Sequence, residues 1–383
     1  MSAIPYGRQS ISEADIAAVT AVLRSDWLTQ GPMIERFEQA VAGRCEATHG
    51  VAVCNATAAL HIACLALDLG PGDLLWTSPN TFVASANCAR YCGADVEFVD
   101  IDPRTLNLSV PALAAKLEVA ERAGRLPKIL VPVAFAGQSC DMAAVQPLAR
   151  RYGFKVIEDA SHAIGARYAG QPVGSGAQAD ITVFSFHPVK IVTTGEGGLL
   201  TTNDAALAER LRRLRSHGIT RDPALLQAAG QGGWYYEQLE LGFNYRITDI
   251  QAALGLSQLD RLEPFIARRR ALVQRYRELL AELPVGLLGD QVGAESAWHL
   301  FPIRVEQGQR DQVFAGMRAA GIGVNLHYIP VHLQPYYRAL GFAPGEFPEA
   351  ERYYAQALSL PLYADLSEAQ QDRVVETLAE LLK

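Results

Sequence analysis

The sequence predicts an α/β protein: a mainly parallel central sheet, followed by a smaller C-terminal α+β unit. Three observations predict it. Short apolar runs alternate with helical patterns through the first two-thirds of the chain, the pattern of βαβ units. Runs such as Ile129-Leu130-Val131-Pro132-Val133 are apolar at nearly every position, as strands covered on both faces are. The alternation ends near residue 250, where a long helical pattern begins.

In chain order, strands are expected at 51–54, 74–77, 96–99, 129–133, 155–158, 181–186 and 198–202. Helices are expected between them at 57–67, 83–91, 110–123, 142–152 and 205–216. Residues 222–236 change character, and Gly230, Gly232 and Gly233 predict a flexible, exposed stretch. A long helix is expected over 248–283, broken or kinked at Pro264. Its basic run, Arg268-Arg269-Arg270, reads as a solvated face. The tail reads as a strand at 299–305, a helix at 311–320, a strand at 324–328 and terminal helices. A division into residues 1–250 and 251–383 follows, in keeping with a chain of 383 residues.

Hydrophobic residues make up 49% of the chain and charged residues 20%, which excludes disordered, collagen-like and coiled-coil chains. The net charge is −7, so the basic footprint of a nucleic-acid binder is missing. No run approaches the roughly 18 apolar residues of a membrane span. Residues 1–8 lack the basic and apolar regions of a signal peptide. A cytoplasmic protein with no membrane partner is therefore expected. The six cysteines, all within the first 140 residues, form no C-x-x-C pair. They read as reduced core residues, and no metal site is expected.

Three stretches carry chemistry, each after an expected strand. In Val53-Cys54-Asn55-Ala56-Thr57 a strand ends, small residues turn and a helix begins. Backbone N–H groups at a helix start favour a phosphate, although plain capping by Asn55 or Thr57 accounts for the same residues. In Glu158-Asp159-Ala160-Ser161-His162, two carboxylates stand where open α/β sheets place ligands. Asp159 could pair with a protonated ring nitrogen, and His162 could bond or stack on that ring. The plainer account is a helix cap and a satisfied polar residue.

The third stretch, Phe184-Ser185-Phe186-His187-Pro188-Val189-Lys190, runs into Thr193-Thr194-Gly195-Glu196-Gly197-Gly198. A lysine amid apolar and small residues loses hydration, which favours the neutral amine able to form a Schiff base. Ser185 could hold a phosphate. An exposed lysine beside a turn would be the ordinary reading, but the two upstream features at matching strand ends outweigh it. A lysine, an acid for a pyridine nitrogen and a phosphate cup are what pyridoxal phosphate requires together.

These motifs resemble those of the DegT/DnrJ/EryC1/StrS sugar aminotransferases over nearly the whole chain. The segments Ile4-Pro5-Tyr6-Gly7-Arg8, Leu28-Thr29-Gln30-Gly31-Pro32, Trp234-Tyr235-Tyr236-Glu237 and Leu241-Gly242-Phe243-Asn244-Tyr245-Arg246 strengthen the resemblance. It implies an aspartate aminotransferase-like, type I pyridoxal phosphate-dependent fold. It also implies that Lys190 forms the Schiff base, that Asp159 pairs with the pyridinium nitrogen and that His162 lies near the ring hydroxyl. Phe82 would stack on the ring, and Asn55, Ala56, Thr57 and Ser185 would hold the phosphate. Asn244 would reach the phosphate of a neighbouring subunit in a homodimer with shared sites. Tyr6, Asp26, Trp27, Leu28, Thr29, His327 and Tyr328, with His332 as a further candidate, would border the nucleotide sugar. The substrates implied are L-glutamate and a UDP-linked keto sugar. A histidine in place of the lysine marks dehydrating members of the family, so Lys190 implies amino transfer.

Overall fold

The computed structural model describes residues 3–228 and 232–383; Gly230 of the expected flexible stretch lies outside them. Seven strands form the main sheet: β1 (His49–Val53), β2 (Leu74–Thr77), β3 (Asp95–Phe98), β4 (Ile129–Val131), β5 (Lys155–Asp159), β6 (Ile181–Ser185) and β7 (Gly198–Thr202). Their order is β1-β7-β6-β5-β4-β2-β3. The block from β6 to β3 is wholly parallel, while β7 runs antiparallel to both of its neighbours. The strand alternation read from the sequence therefore yields the mainly parallel sheet expected.

Period-two alternation explains why the strands look apolar throughout. The first four helices are α1 (Glu13–Leu23), α2 (Pro32–Arg44), α3 (Ala56–Ala66) and α4 (Ala84–Tyr91), and Leu75, Ile129, Val131, Ile157 and Val183 pack under α3 and α4. Leu74, Trp76, Leu130 and Val156 pack on the other face with Leu113, Leu117 and Val145. Those three come from the helices Val110–Ala123 and Met142–Tyr152. Five cysteines are buried among such residues, Cys54 is half-buried, and all six are free.

The expected long helix is two helices, Asp249–Leu259 and Leu262–Leu279. The break falls before Pro264, which sits in the first turn of the second helix, where its missing N–H costs nothing. Of the basic run, Arg269 is not solvated. It is buried, and its Nη1 donates to the carbonyls of Trp298 (3.2 Å), His299 (3.3 Å) and Leu362 (3.0 Å). A second core unites Leu272, Val273 and Tyr276 of this helix with Phe301, Ile303, Leu358 and Val374. Ile4 joins that core, and its backbone is tied to Gly321 and Gly323.

A small sheet runs Gly286–Leu287, Phe301–Arg304, Ala357–Leu360. The strand expected at 324–328 is absent; only Asn325 bridges Ser359, and the segment turns inward to the site described below. Among the described residues no helix is long and apolar enough to cross a membrane.

Candidate active site

The C-terminal ends of β5 and β6, the start of α3 and the segment 325–328 surround one cavity of about 570 Å³. After β6 the chain folds back on itself. Phe186 N–H donates to Gly197 O, Thr194 N–H donates to Phe186 O, and Lys190 N–H closes a turn onto His187 O. Lys190 is thus carried on a loop pinned at both ends. Half-buried, Lys190 lines the cavity without an ion pair among the described residues. Burial pushes its pKa down to about 8, opposed in part by the Asp159 carboxylate.

Asp159 ends β5 and is buried. One oxygen accepts from Ser85 Oγ (2.6 Å), the other from Ser161 Oγ (2.6 Å) and Ser161 N–H (3.1 Å). Ser85 spends its hydrogen on Asp159, so the Thr81 hydroxyl 2.7 Å away donates to Ser85. Three donors to one carboxylate fix its direction. Its neighbour Glu158 points to the other face. It accepts from Ser139 Oγ (2.9 Å), and burial raises its pKa to about 7.

Asn55 caps α3, its side chain accepting from Ala58 N–H at 2.8 Å. The capping reading is therefore correct, and it leaves Ala56 and Thr57 lining the cavity together with Ser185. A Cβ on Gly198 would stand 2.5 Å from the Asn55 carbonyl carbon, so glycine lets β7 lie directly against this turn.

His162 Nε2 lies 3.1 Å from the Tyr328 hydroxyl, while its Nδ1 is buried without a partner. His327 Nδ1 meets Ser359 Oγ at 2.8 Å. Burial, aided by the Lys190 charge, holds His162 well below its ordinary pKa and His327 at about 3. Phe82 leans over the mouth, more than half exposed, 6.3 Å from the Tyr328 ring centroid. Tyr6 is delivered by the N-terminal segment docked on the second core.

The structure thus brings together Tyr6, Asn55, Ala56, Thr57, Phe82, Asp159, His162, Ser185, Lys190, His327 and Tyr328. It does not bring in His332, which is fully buried, bonded to Glu351 (2.9 Å) and packed on Phe347. That histidine is a core residue, and its expected place beside the sugar is corrected. Asp26, Trp27, Leu28, Thr29 and Asn244 are exposed and lie outside this chain's own cavity. The sequence reading missed Thr81, Ser85, Ser161, His299 and Asn325. Ser85 had a signal, lying three residues beyond Phe82 in the first turn of the following helix; His299 had none, because its role depends on tertiary insertion.

These residues fit pyridoxal phosphate: a helix start and a serine for the phosphate, a triply held carboxylate for the ring nitrogen, and a depressed lysine for the aldehyde. When bound, the cofactor supplies an electrophilic carbonyl and an electron sink. A sheet covered on both faces, with this set at its C-terminal edge, defines a type I pyridoxal phosphate-dependent enzyme. The chain belongs to the DegT/DnrJ/EryC1/StrS aminotransferase family, whose profile matches residues 9–379, and it is a sugar aminotransferase. It is 39% identical over 388 residues to the spore coat polysaccharide biosynthesis protein SpsC of Bacillus subtilis, covering 99% of this chain and 97% of that one. The apo form of the putative sugar aminotransferase Spr1654 of Streptococcus pneumoniae superposes with a TM-score of 0.89 at 31% identity, over 99% of this chain and 97% of that one. Helicobacter pylori PseC, an aminotransferase involved in the biosynthesis of pseudoaminic acid, gives 0.90 at 29% identity, over 100% and 99%.

Proposed function

We propose that this sugar aminotransferase moves the amino group of L-glutamate to C4 of a UDP-linked 4-keto-6-deoxy-N-acetylhexosamine. The product would be UDP-4-amino-4,6-dideoxy-N-acetyl-β-L-altrosamine, used in pseudaminic acid synthesis. The observation that carries this reading is the end-to-end likeness to PseC. The segments around Tyr6, Leu28 and Asn244 support it. In this reading Lys190 is the base that takes the proton from Cα of the donor, and in the second half-reaction it delivers a proton to C4 of the sugar. Asp159 keeps the ring nitrogen protonated. Ala56, Thr57 and Ser185 anchor the phosphate. Phe82 would cover the ring, and Tyr328 would orient His162 near the ring hydroxyl. Tyr6 and His327 border the sugar. The enzyme works as a homodimer in which Asn244 completes the partner's site.

A second reading, amination of another nucleotide-linked keto sugar, at C3 or C4 and on dTDP or GDP, is favoured by the greater identity to SpsC. A panel of UDP-, dTDP- and GDP-linked keto sugars, incubated with glutamate and analysed by NMR, separates the two. The UDP-linked 4-keto-6-deoxy-N-acetylhexosamine should be turned over fastest and carry nitrogen at C4. Turnover confined to a dTDP or GDP sugar would overturn the proposal.

A further inference from the structure

We propose that His299 is a positioning residue of the transamination: wedged beside His162, it offers the Lys190 amine an uncharged hydrogen-bond acceptor while that amine carries the transferred proton. The inference rests on Lys190 being the Schiff-base lysine of the reading above.

His299 is only 4% exposed, yet it lines the cavity. Its backbone is clamped from both sides. The N–H donates to Ala136 O (2.8 Å), and the carbonyl receives Nη1 of the buried Arg269. The preceding residue, Trp298, is held at φ 50, a left-handed conformation that tertiary contacts must enforce. Gly137 makes the insertion possible. It sits at φ 99, and a Cβ there would come within 2.8 Å of Trp298 N, 3.0 Å of His299 N and 3.0 Å of His162 O. Any other residue at 137 would force the two histidines apart.

The His299 and His162 rings lie 4.5 Å apart between centroids, tilted by 51°. Among the described residues Nδ1 of His299 is buried without a partner and Nε2 has no hydrogen-bond partner, and the residue lines the same cavity as Lys190. Burial holds the ring neutral. The cations that reinforce this are Lys190 and Arg269, and a proton on His162 or His327 would act in the same direction.

A free lysine that has taken a proton needs acceptors. A carboxylate partner would stabilise the ammonium so strongly that the proton would not be returned; a neutral imidazole lone pair stabilises it modestly. With its own proton on Nδ1, His299 presents that lone pair at Nε2. His299 gains and loses no proton in the cycle.

The test compares His299→Phe, His299→Leu and His299→Asn with wild type. In holoenzyme, glutamate-driven bleaching of the visible absorbance should slow about 10- to 100-fold in the Phe and Leu variants, less than the roughly 10²–10⁴-fold of a group that itself transfers the proton. The Asn variant, with an amide oxygen of similar reach, should recover most of the rate. KM for the keto sugar should stay within about threefold, since a change confined to kcat marks a transition-state contact. Independently, in cofactor-free protein the pH midpoint for amine-specific modification of Lys190, followed by mass spectrometry, should move down in the Phe and Leu variants. The Leu variant keeps the comparison available if Phe does not fold. Unmoved midpoints, or equal losses in all three variants, would reduce His299 to packing and overturn the proposal. If instead Lys190→Ala still bleaches with glutamate, the Schiff-base assignment itself fails; wild-type behaviour of the His299 variants beside an inert Lys190→Ala defeats this inference alone.

Discussion

At Lys190, burial and charge act in opposite directions. Enclosure in the cavity wall lowers the amine's pKa from 10.5 to about 8, and the Asp159 carboxylate limits the fall. In cofactor-free protein, Schiff-base formation with added pyridoxal phosphate should therefore speed up with a midpoint near pH 8 and level off above it. A midpoint near 10.5 would show that the amine is effectively in water. Asp159 is poised differently, by three donors. Asp159→Asn should still bind the cofactor but bleach with glutamate roughly a hundredfold more slowly, or about 3 kcal/mol, and wild-type bleaching would leave Asp159 as a mere cap. At its neighbour Glu158 burial is the leading cause, with the Asp159 charge adding to it and bonds from Ser139 and Thr182 opposing it. The folded chain holds that proton up to about pH 7, whereas the unfolded chain releases it near 4.5. Between those values the folded state binds more protons, so stability falls as pH rises, by about 3 kcal/mol in all. Glu158→Gln keeps an acceptor for Ser139 and should remove that slope. Urea titrations at pH 5 and pH 8 that gave both proteins the same slope would show that Glu158 ionises freely in the fold.

At the scale of elements, strands and helices of the main sheet were legible because each is a local signal. Apolar runs such as Ile129-Leu130-Val131 need only a cover on both faces, and the observed strands lie within two residues of the expected ends. Two expectations failed for one shared reason: their outcome is decided by a distant segment. Residues 324–328 carry a strand-like pattern, but Asn80 draws Tyr328 N–H (3.3 Å) and Ser359 draws His327, so the segment lines a cavity. Arg269 looks solvated within its basic run, but the helix turns it toward three carbonyls of two other segments. With its pKa lowered only to about 10, it stays charged there. Arg269→Leu strands those carbonyls without a donor and should cost about 2–4 kcal/mol. Arg269→Lys should rescue little, since a single ammonium does not reproduce the planar fork. A leucine variant within about 0.5 kcal/mol of wild type in urea would mean that water replaces the guanidinium.

At the scale of the whole molecule, the cavity of one chain leaves several expected site residues unused. Asn244 is exposed, bridged through its backbone to Ser216, and Trp27 and Leu28 stand about half exposed on the surface. A single sequence names such residues through family resemblance but cannot say which copy of the chain they serve, because that depends on an interface. We propose that they serve the partner, in a two-fold dimer with two identical shared sites. Complementation tests this. Lys190→Ala and Asn244→Ala homodimers, each impaired, are mixed under conditions that exchange subunits. In a shared arrangement each heterodimer has one doubly mutated site and one intact site, the latter taking Lys190 from one chain and Asn244 from the other. Activity should then rise above that of either parent, toward half the wild-type value per heterodimer. If both residues act within one chain, every heterodimer site carries a lesion and activity stays low. With exchange confirmed by mass spectrometry and the Asn244→Ala parent shown to be impaired, no rise would end the shared-site assignment.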